Sequence, residues 1–365
     1  MPFDLPFQRL FGGQPLISPT ENWWESGVTF NTAAVYLPST AENLPAIHAL
    51  LGEGAEAKYP AGVVALHYRA RPATDPGLPW TRSFVGVSVH EPDLTPIRRF
   101  AEPVLKPGGS ECDYDHLGAE DPRITFLDDA WWMVYCGVMP VGQLSSTGAW
   151  LGSVSLAKST DLVHWEKCGV AAFGNETISN KDGVLFPDRI DGKVMLLHRP
   201  MTGDIGTWGV NIATAAAPEG PYTDLGQVHR AMAVGGYLKS WSGAGSVPIK
   251  IGEGRYVSIE HTGNYLKGEQ RKYVLDAFLY DFNRWDPGRP ETLVAARMDD
   301  VMRPETDFEV NGPFPDSVAN VVFACGSYVH DGWLYVVYGG GDSFILAARI
   351  RFQNLVDELE ARVVA

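Results

Sequence analysis

The sequence predicts an all-β chain folded as a five-bladed β-propeller with a short C-terminal helix. Three observations favour this class: a strand pair recurs along the chain, tight turns rich in acid and glycine join the strands, and helical periodicity is scarce. Aromatic residues and glycines are abundant, with 11 Trp, 14 Tyr, 16 Phe and 39 Gly. No low-complexity linker interrupts the 365 residues, so we expect a single domain over residues 1–365.

A strand-like segment that ends in small residues recurs five times along the chain. When Tyr68, Tyr135, His198, His261 and Tyr338 are taken as equivalent positions, the successive spacings are 67, 63, 63 and 77 residues. Such a regular spacing is typical of β-hairpins that stack around an axis. The alternative is a pair of β-sandwiches, in which strands need not recur at a regular spacing. The spacing therefore predicts five similar blades.

Four of the five segments follow a turn that carries acidic residues, glycine or both, and another strand precedes each turn. These turns are Asp128-Asp129, Asp191-Gly192, Gly252-Glu253-Gly254 and Asp331-Gly332. Turns of this kind favour tight antiparallel hairpins. Outside the strands, residues 41–55 predict a short surface helix. Apolar residues four apart over 354–364 predict an amphipathic C-terminal helix that covers a blade edge.

Composition limits the partners and the cellular location. The chain carries 29 Lys and Arg against 44 Asp and Glu, a formal net charge of −15, without a basic cluster, so we expect no nucleic-acid or membrane partner. It shows no membrane-length apolar run and no N-terminal secretory pattern, which predicts a cytoplasmic protein. Cys112, Cys136, Cys168 and Cys325 lack metal-binding spacing, which predicts free thiols and no bound metal. Homo-oligomer formation stays open.

In a propeller the ends of the inner strands converge on one axial pocket, so residues distant in sequence meet there. Charged residues are concentrated at such positions. They are Glu120, Asp121 and Arg123 in the second unit, Lys181, Asp182 and Arg199 in the third, Glu260 and His261 in the fourth, and Asp342 after the fifth. A lone acidic turn residue usually caps a loop. Their shared axial position instead predicts a pocket with both acidic and basic groups.

Six strings of residues resemble glycoside hydrolase family 130, the β-mannoside phosphorylases and related β-mannosidases. The strings are Phe30-Asn31-Thr32-Ala33-Ala34, Glu120-Asp121-Pro122-Arg123, Gly183-Val184-Leu185-Phe186-Pro187 with Leu197-His198-Arg199-Pro200, Gly243-Ala244-Gly245 with Pro248-Ile249-Lys250, Asn320-Val321-Val322-Phe323 with Cys325-Gly326, and Tyr338-Gly339 with Asp342. Any one string is weak evidence, but six in the family's order span nearly the whole chain. The resemblance implies a five-bladed propeller that cleaves β-linked manno-oligosaccharides or mannosides with inversion.

The resemblance also implies roles for individual residues. Asp121 would donate a proton to the leaving oxygen, which requires a carboxyl group kept protonated by burial or by a neighbour such as Glu120. Asp342 would bind the non-reducing-end mannose, and Arg123 would order its loop through a carboxylate or contact a sugar hydroxyl. The remaining expected substrate-binding residues are Asn31, Tyr68, Arg69 and Trp241.

The attacking group is either phosphate or water. Lys181, Arg199 and His261 match the family's phosphate-binding positions, so we expect a phosphorylase that uses inorganic phosphate as co-substrate and releases mannose 1-phosphate. The alternative is an inverting β-mannosidase, because Asp182 and Trp241 stand where phosphorylases carry Asn and Lys. Asp182 or Glu260 would then be the base that activates water.

Two further hypotheses come from other classes of protein. One is a furanosidase of another five-bladed propeller family, and the continuous match to the six strings argues against it. The other is a non-catalytic sugar-binding propeller, which would not need the acid Asp121. Neither leading mechanism requires a metal ion or an organic cofactor.

Overall fold

The computed structural model describes eight stretches of the chain. They are residues 6–76, 81–110, 113–141, 150–174, 177–232, 238–266, 270–315 and 317–363. Within them the strands form five antiparallel sheets, and each sheet is one blade of a β-propeller. The predicted all-β, five-bladed architecture is confirmed.

The first strand, β1 (Gln8–Arg9), belongs to the last blade, and the next twelve strands form blades 1 to 3. Blade 1 contains β2 (Val28–Leu37), β3 (Val63–Arg71), β4 (Phe84–His90) and β5 (Pro96–Arg99). Blade 2 contains β6 (Gly118–Leu127), β7 (Ala130–Pro140), β8 (Trp150–Ser159) and β9 (Glu166–Val170). Blade 3 contains β10 (Asn180–Leu185), β11 (Val194–Pro200), β12 (Gly209–Ala215) and β13 (Thr223–Arg230). Neighbours in each sheet follow the order of the chain.

Blades 4 and 5 depart from this pattern. Blade 4 contains β14 (Lys239–Gly243), β15 (Ile249–Gly252), β16 (Arg255–Tyr265), β17 (Arg271–Asp281) and β18 (Val294–Met302). Both β14 and β15 pair with β16, so two short strands share the inner position. Blade 5 contains β19 (Val322–His330), β20 (Trp333–Gly340), β21 (Phe344–Arg351) and β1.

The ring of blades is closed by pairing between the two ends of the chain. Gln8 and Arg9 of β1 pair antiparallel with Arg349 and Ala348 of β21. Apolar side chains form a separate core between each pair of neighbouring blades, including blades 5 and 1. Hydrophobic burial is therefore distributed around the whole ring.

The acidic turns have the backbone conformation that the sequence predicts. Asp128 and Asp129, which join β6 to β7, have φ values of 53° and 58°. Asp331 and Gly332, which join β19 to β20, have φ values of 48° and 72°. Two consecutive residues with positive φ match the twist of a hairpin, and Asp and Gly tolerate that conformation best.

The helices lie near the expected positions with shifted boundaries. Residues 41–55 contain not one helix but α1 (Leu44–Leu51) and the start of α2 (Ala55–Lys58), because Gly52 and Gly54 take positive φ between them. A short α3 (Asp307–Val310) precedes blade 5. The C-terminal helix α4 (Phe352–Glu360) overlaps the predicted range 354–364, but it starts two residues earlier and ends four residues earlier. It buries Leu355 and Leu359 in the core between blades 4 and 5. The described residues also contain four 3₁₀ helices, at Phe11–Gly13, Trp23–Glu25, Ile205–Thr207 and Pro290–Leu293.

The inner strands of blades 1, 2 and 3 are each broken by a β-bulge at a polar residue. The pairing shifts at Asn31 in β2, at Asp121 in β6 and at Asp182 in β10. These three residues have positive φ values of 44°, 52° and 56°. A bulge re-aims a side chain out of the normal alternation, and Asn and Asp are the non-glycine residues that accept this conformation most readily. All three side chains line the axial pocket.

Candidate active site

A pocket of about 170 Å³, here called the inner pocket, lies where the blades converge. Eight of the residues predicted from the sequence line it: Asn31, Arg69, Asp121, Lys181, Asp182, Arg199, His261 and Asp342. An adjoining outer pocket of about 330 Å³ shares Arg69, Lys181 and Asp342 with it and also contacts Glu120. The structure thus brings together most of the predicted site.

Asp121 is held by neighbouring donors at its bulge. Asn31 Nδ2 donates to Asp121 Oδ1 over 2.8 Å, and Arg69 Nη1 donates to the same oxygen over 3.1 Å. The backbone carbonyl of Asp121 accepts from Arg123 Nη1 over 3.0 Å. Only 7% of Asp121 is exposed, so both the bulge and the carboxylate are fixed.

The charge state of Asp121 differs from the sequence-based expectation. Burial alone would raise the pKa of Asp121, but the charges of Arg69, Arg123 and Lys181 outweigh it and hold that pKa below its usual range. Glu120, expected to keep Asp121 protonated, instead accepts from Arg69 and from Lys181 Nζ, the latter over 3.3 Å. In the ligand-free pocket the Asp121 carboxyl group is therefore ionised.

Asp342 shows the opposite behaviour in the same pocket. It lies in the turn between β20 and β21 with a φ of 50°. Burial raises the pKa of Asp342 to about 6, and the nearby carboxylates of Asp121 and Glu120 add to this effect while Arg69 opposes it. Two neighbouring carboxyl groups with pKa values shifted in opposite directions are typical of sites of acid–base catalysis.

Asp182 is surrounded by basic side chains. Arg123 Nη2 donates to Asp182 Oδ1 over 3.4 Å, and Arg199 Nη2 lies 3.1 Å from Asp182 Oδ2. His261 Nε2 lies 3.5 Å from the same oxygen. Despite burial, these neighbours, led by Arg199, hold the pKa of Asp182 well below its usual range. Burial lowers the pKa of His261, so its imidazole is neutral at pH 7.

Several buried polar atoms of residues that line the inner pocket have no hydrogen-bond partner within the described part of the chain. They include Arg199 Nε, His261 Nδ1 and Asn31 Oδ1. A buried donor or acceptor left without a partner destabilises a protein, so such groups usually have a functional reason. These atoms fit a pocket that is completed by a polar ligand.

Two glycines allow the polar side chains to approach the strands closely. A Cβ atom on Gly243 would lie 2.1 Å from Asp182 Oδ2 and 2.4 Å from His261 Nε2. A Cβ atom on Gly339 would lie 2.1 Å from Asn31 Oδ1. All three distances are far below van der Waals contact, so any other residue at either position would displace the site.

Glu260 does not belong to the pocket. It precedes His261 on β16, and successive strand residues point to opposite faces, so its side chain enters the interface with blade 3. There its carboxylate is 0% exposed and accepts from Tyr280, and it lies 2.9 Å from His229 Nε2. Glu260 cannot serve as the general base that the sequence suggested.

Three expected substrate-binding residues lie outside the inner and outer pockets. Tyr68 is buried and donates from its hydroxyl to Glu25 over 2.7 Å. Trp241 is buried in strand β14 and packs against Tyr265. Arg123 lies beneath the inner pocket, where it also donates to the carbonyl of Gly245 over 3.2 Å. Its pairing with Asp182 fits the expected loop-ordering role, whereas the alternative contact with a sugar hydroxyl is not available to it.

Sequence reasoning missed other residues that line the inner pocket, notably Arg271, Tyr273 and Phe323. Phe323 belongs to a matched string, and its ring centre lies 4.2 Å from that of His261. Burial raises the pKa of Tyr273 to about 12, so its phenol is a neutral hydrogen-bonding group. Arg271 and Tyr273 lie on β17, whose sequence carries no motif that would have singled them out.

The described residues contain neither a metal-binding cluster nor a helix long enough to span a membrane. No group of three or more His, Cys, Asp or Glu side chains is arranged there to hold a metal ion. The longest described helix has nine residues, too few to cross a bilayer. Cys112 lies outside the described residues, and the other three cysteines are free thiols.

Comparison with known proteins gives consistent matches. A family model described as β-1,4-mannooligosaccharide phosphorylase matches residues 91–361. A 1,2-β-oligomannan phosphorylase of Thermoanaerobacter sp. is 28% identical over 96% of this chain and 99% of its own length. A β-1,2-mannobiose phosphorylase of Listeria innocua is 30% identical over 68% of this chain and 62% of its own length. The solved complex of a Listeria innocua β-1,2-mannobiose phosphorylase with β-1,2-mannobiose shares the fold, with a TM-score of 0.70 and 22% identity over 98% of this chain and 99% of that one.

Proposed function

The chain belongs to glycoside hydrolase family 130, and from this membership we propose that it is a β-mannoside phosphorylase. The reaction transfers a mannosyl group from a β-linked manno-oligosaccharide or mannoside to inorganic phosphate. Its products are mannose 1-phosphate and a sugar with a free hydroxyl group. We propose β-1,2-linked substrates first, because three relatives that are 27–30% identical to this chain are named for this linkage.

The observation that carries the proposal is the charge of the inner pocket. Four permanent cations, Arg69, Lys181, Arg199 and Arg271, line it against three aspartates, Asp121, Asp182 and Asp342. The whole chain, in contrast, has a formal net charge of −15. A local excess of positive charge in an acidic protein favours an anionic ligand. Inorganic phosphate carries negative charge, and its oxygens can accept hydrogen bonds from buried donors without a partner, such as Arg199 Nε.

In the proposed mechanism Asp121 is the proton donor. It starts ionised, because Arg69, Arg123 and Lys181 lower its pKa. Bound phosphate places negative charge beside these cations, which weakens their effect and raises the pKa of Asp121. A phosphate oxygen then attacks the anomeric carbon while the glycosidic C–O bond breaks. The leaving oxygen takes the proton from Asp121, and attack on the opposite face inverts a β-linkage to an α-phosphate.

Hydrolysis is the second candidate, and Asp182 is the observation that favours it. Its carboxylate lies in the inner pocket, where it could accept a proton from water. However, Arg199 and Arg123 pair with it and hold its pKa well below the usual range, which makes it a weak base. The other base candidate, Glu260, lies in the interface with blade 3. These contacts support phosphorolysis over hydrolysis.

The test is product analysis with and without phosphate. We would incubate the protein with β-1,2-, β-1,3- and β-1,4-linked mannobiose and follow the products by ¹H and ³¹P NMR. Phosphate-dependent formation of α-mannose 1-phosphate is the expected result. Free mannose as the only product, formed at a rate independent of phosphate, would establish the hydrolase instead.

The remaining expectations are proposals of the same kind. We propose that residues 1–365 form one domain, since β1 and β21 pair across the two ends of the chain. We propose a cytoplasmic enzyme, supported by the free thiols of Cys136, Cys168 and Cys325, which a reducing compartment preserves. Catalysis needs phosphate as co-substrate and, as proposed, no metal ion and no nucleic-acid or membrane partner. A homo-oligomer stays a prediction.

A further inference from the structure

The outer pocket contains an aromatic residue that sequence reasoning did not assign. Trp150, at the start of β8, lines this pocket and is 44% exposed. Lys181 Nζ lies over the indole ring, 4.4 Å from its centre. The same ammonium group donates to Glu120 over 3.3 Å. The indole ring is thus in contact with a cation, yet 44% of Trp150 remains exposed.

The volumes of the two pockets indicate which part of the substrate each one takes. A ligand as large as a disaccharide with a phosphate needs a cavity of roughly 300–1,000 Å³. The inner pocket alone, at about 170 Å³, is too small, and the outer pocket adds about 330 Å³. Asp121 lines the inner pocket, and the adjacent Glu120 lines the outer one, so the bond to be broken lies at their boundary.

The chemistry of the outer pocket suits a sugar ring. Beside Trp150, its wall contains Leu117 and Val138, which form a small buried apolar cluster with Cys136. Thr81 and Glu120 provide polar groups at the edge. The C–H face of a pyranose packs on an electron-rich aromatic face, and its hydroxyl groups need polar partners around the ring.

We propose that Trp150 is the platform on which the leaving sugar stacks, and that it thereby sets the affinity for the reducing-end part of the substrate. This inference rests on the proposed function, because the bond to be cleaved is placed beside Asp121. The leaving sugar occupies the outer pocket and stacks on the exposed part of the indole ring. Mannosyl and phosphate groups occupy the inner pocket.

The reverse reaction tests this role, because it gives one KM for the acceptor sugar in the outer pocket and another for mannose 1-phosphate in the inner pocket. With mannose 1-phosphate as donor and mannose as acceptor, Trp150→Ala should raise the KM for the acceptor about tenfold. The KM for mannose 1-phosphate should stay within about twofold of wild type, because Lys181 keeps its contact with Glu120. Trp150→Phe keeps an aromatic face and should restore most of the acceptor affinity.

Trp23 offers a matched control, because it is 54% exposed, packs on Phe84 and lies outside both pockets. Trp23→Ala should leave the acceptor KM unchanged. An unchanged acceptor KM in Trp150→Ala, or an equal rise in both variants, would overturn the inference.

A binding measurement keeps the inference separate from the proposed function. Saturation-transfer NMR with β-1,2-mannobiose reports contact with the protein whether phosphate or water is the attacking group. Wild type should transfer magnetisation to the reducing-end ring, and Trp150→Ala should lose most of that transfer. Equal transfer in the two proteins contradicts the role of Trp150, whereas phosphate-independent cleavage by wild type contradicts the phosphorylase.

Discussion

Asn31 and Asp121 face each other from bulges in the inner strands of neighbouring blades, with 2.8 Å between Asn31 Nδ2 and Asp121 Oδ1. Each residue has positive φ, and the bond between them crosses the boundary of blades 1 and 2. The orientation of the proposed acid therefore depends on the packing of two blades and on the backbone of two strands. Chemistry at Asp121 can be tested by substitutions that keep this packing intact.

Replacement of Asp121 by Asn should abolish most of the activity without unfolding the protein. Asn fills the same space and tolerates positive φ, but it cannot donate the proton that the leaving oxygen needs. We expect turnover of β-mannobiose to fall by about 10²–10⁴-fold, and by less for a substrate with an activated leaving group. Steady-state rates alongside thermal unfolding check this. Near-normal turnover of mannobiose would remove Asp121 from the role.

Replacement of Arg199 by Ala should weaken phosphate binding in particular. Its buried Nε has no partner among the described residues, and a charge-assisted hydrogen bond to an anion is strong. We expect the KM for phosphate to rise roughly 10- to 100-fold, with a smaller effect on the KM for the mannoside. Arg189→Ala is the matched control, because this arginine of blade 3 pairs with Asp128 away from the pocket. Equal phosphate KM values in the two variants would argue against a phosphate contact at Arg199.

Activity should decline on the acidic side as Asp342 takes up a proton. Burial raises the pKa of Asp342 to about 6, so its carboxyl group is neutral below that pH and accepts hydroxyl hydrogen bonds less well. The KM for the mannoside should therefore rise as the pH falls through about 6. Asp342→Asn should bind the mannoside more weakly than wild type above about pH 6, and its KM should not rise further as the pH falls through that value. If the KM of Asp342→Asn still rises as the pH falls through about 6, another group is responsible for the pH dependence.

Replacement of Glu260 by Gln should affect stability more than chemistry. The buried carboxylate accepts from Tyr280 and contacts His229, and an amide cannot satisfy both partners as well. We expect the free energy of unfolding to fall by about 1–3 kcal/mol, measured by urea denaturation, with kcat within about threefold of wild type. A loss of kcat beyond a hundredfold at unchanged stability would restore Glu260 as the base.

The number of blades could be predicted because the blades share short-range sequence features, namely a repeated strand and, in four of the five, a tight turn before it. Tyr68, Tyr135, His198, His261 and Tyr338 all fall on β3, β7, β11, β16 and β20, the strand that follows the inner position of each blade. Hairpin turns such as Asp128-Asp129 depend on neighbouring residues alone. Periodicity and turn chemistry are therefore enough to count the blades.

Side-chain directions were harder to predict, because they depend on strand pairing and bulges. Glu260 and His261 are adjacent, and the alternation along β16 sends one to the blade interface and the other to the pocket. Tyr68 lies one residue before Arg69 and is separated from the pocket by the same alternation. At Asn31, Asp121 and Asp182 a β-bulge breaks this alternation and turns a polar side chain into the pocket. Simple alternation along the strand therefore does not predict the directions of these three side chains.

Because the first strand, β1, pairs with the last strand, β21, the ring of blades can close only after the last blade has been synthesised. Asn31 leaves the ribosome 311 residues before Asp342, yet both line one pocket. Early blades can fold as they emerge, but an incomplete chain is an open arc with an unpaired sheet edge and an incomplete pocket. Activity is therefore acquired only after translation of the last blade, and a nascent chain is exposed to edge-to-edge association until then.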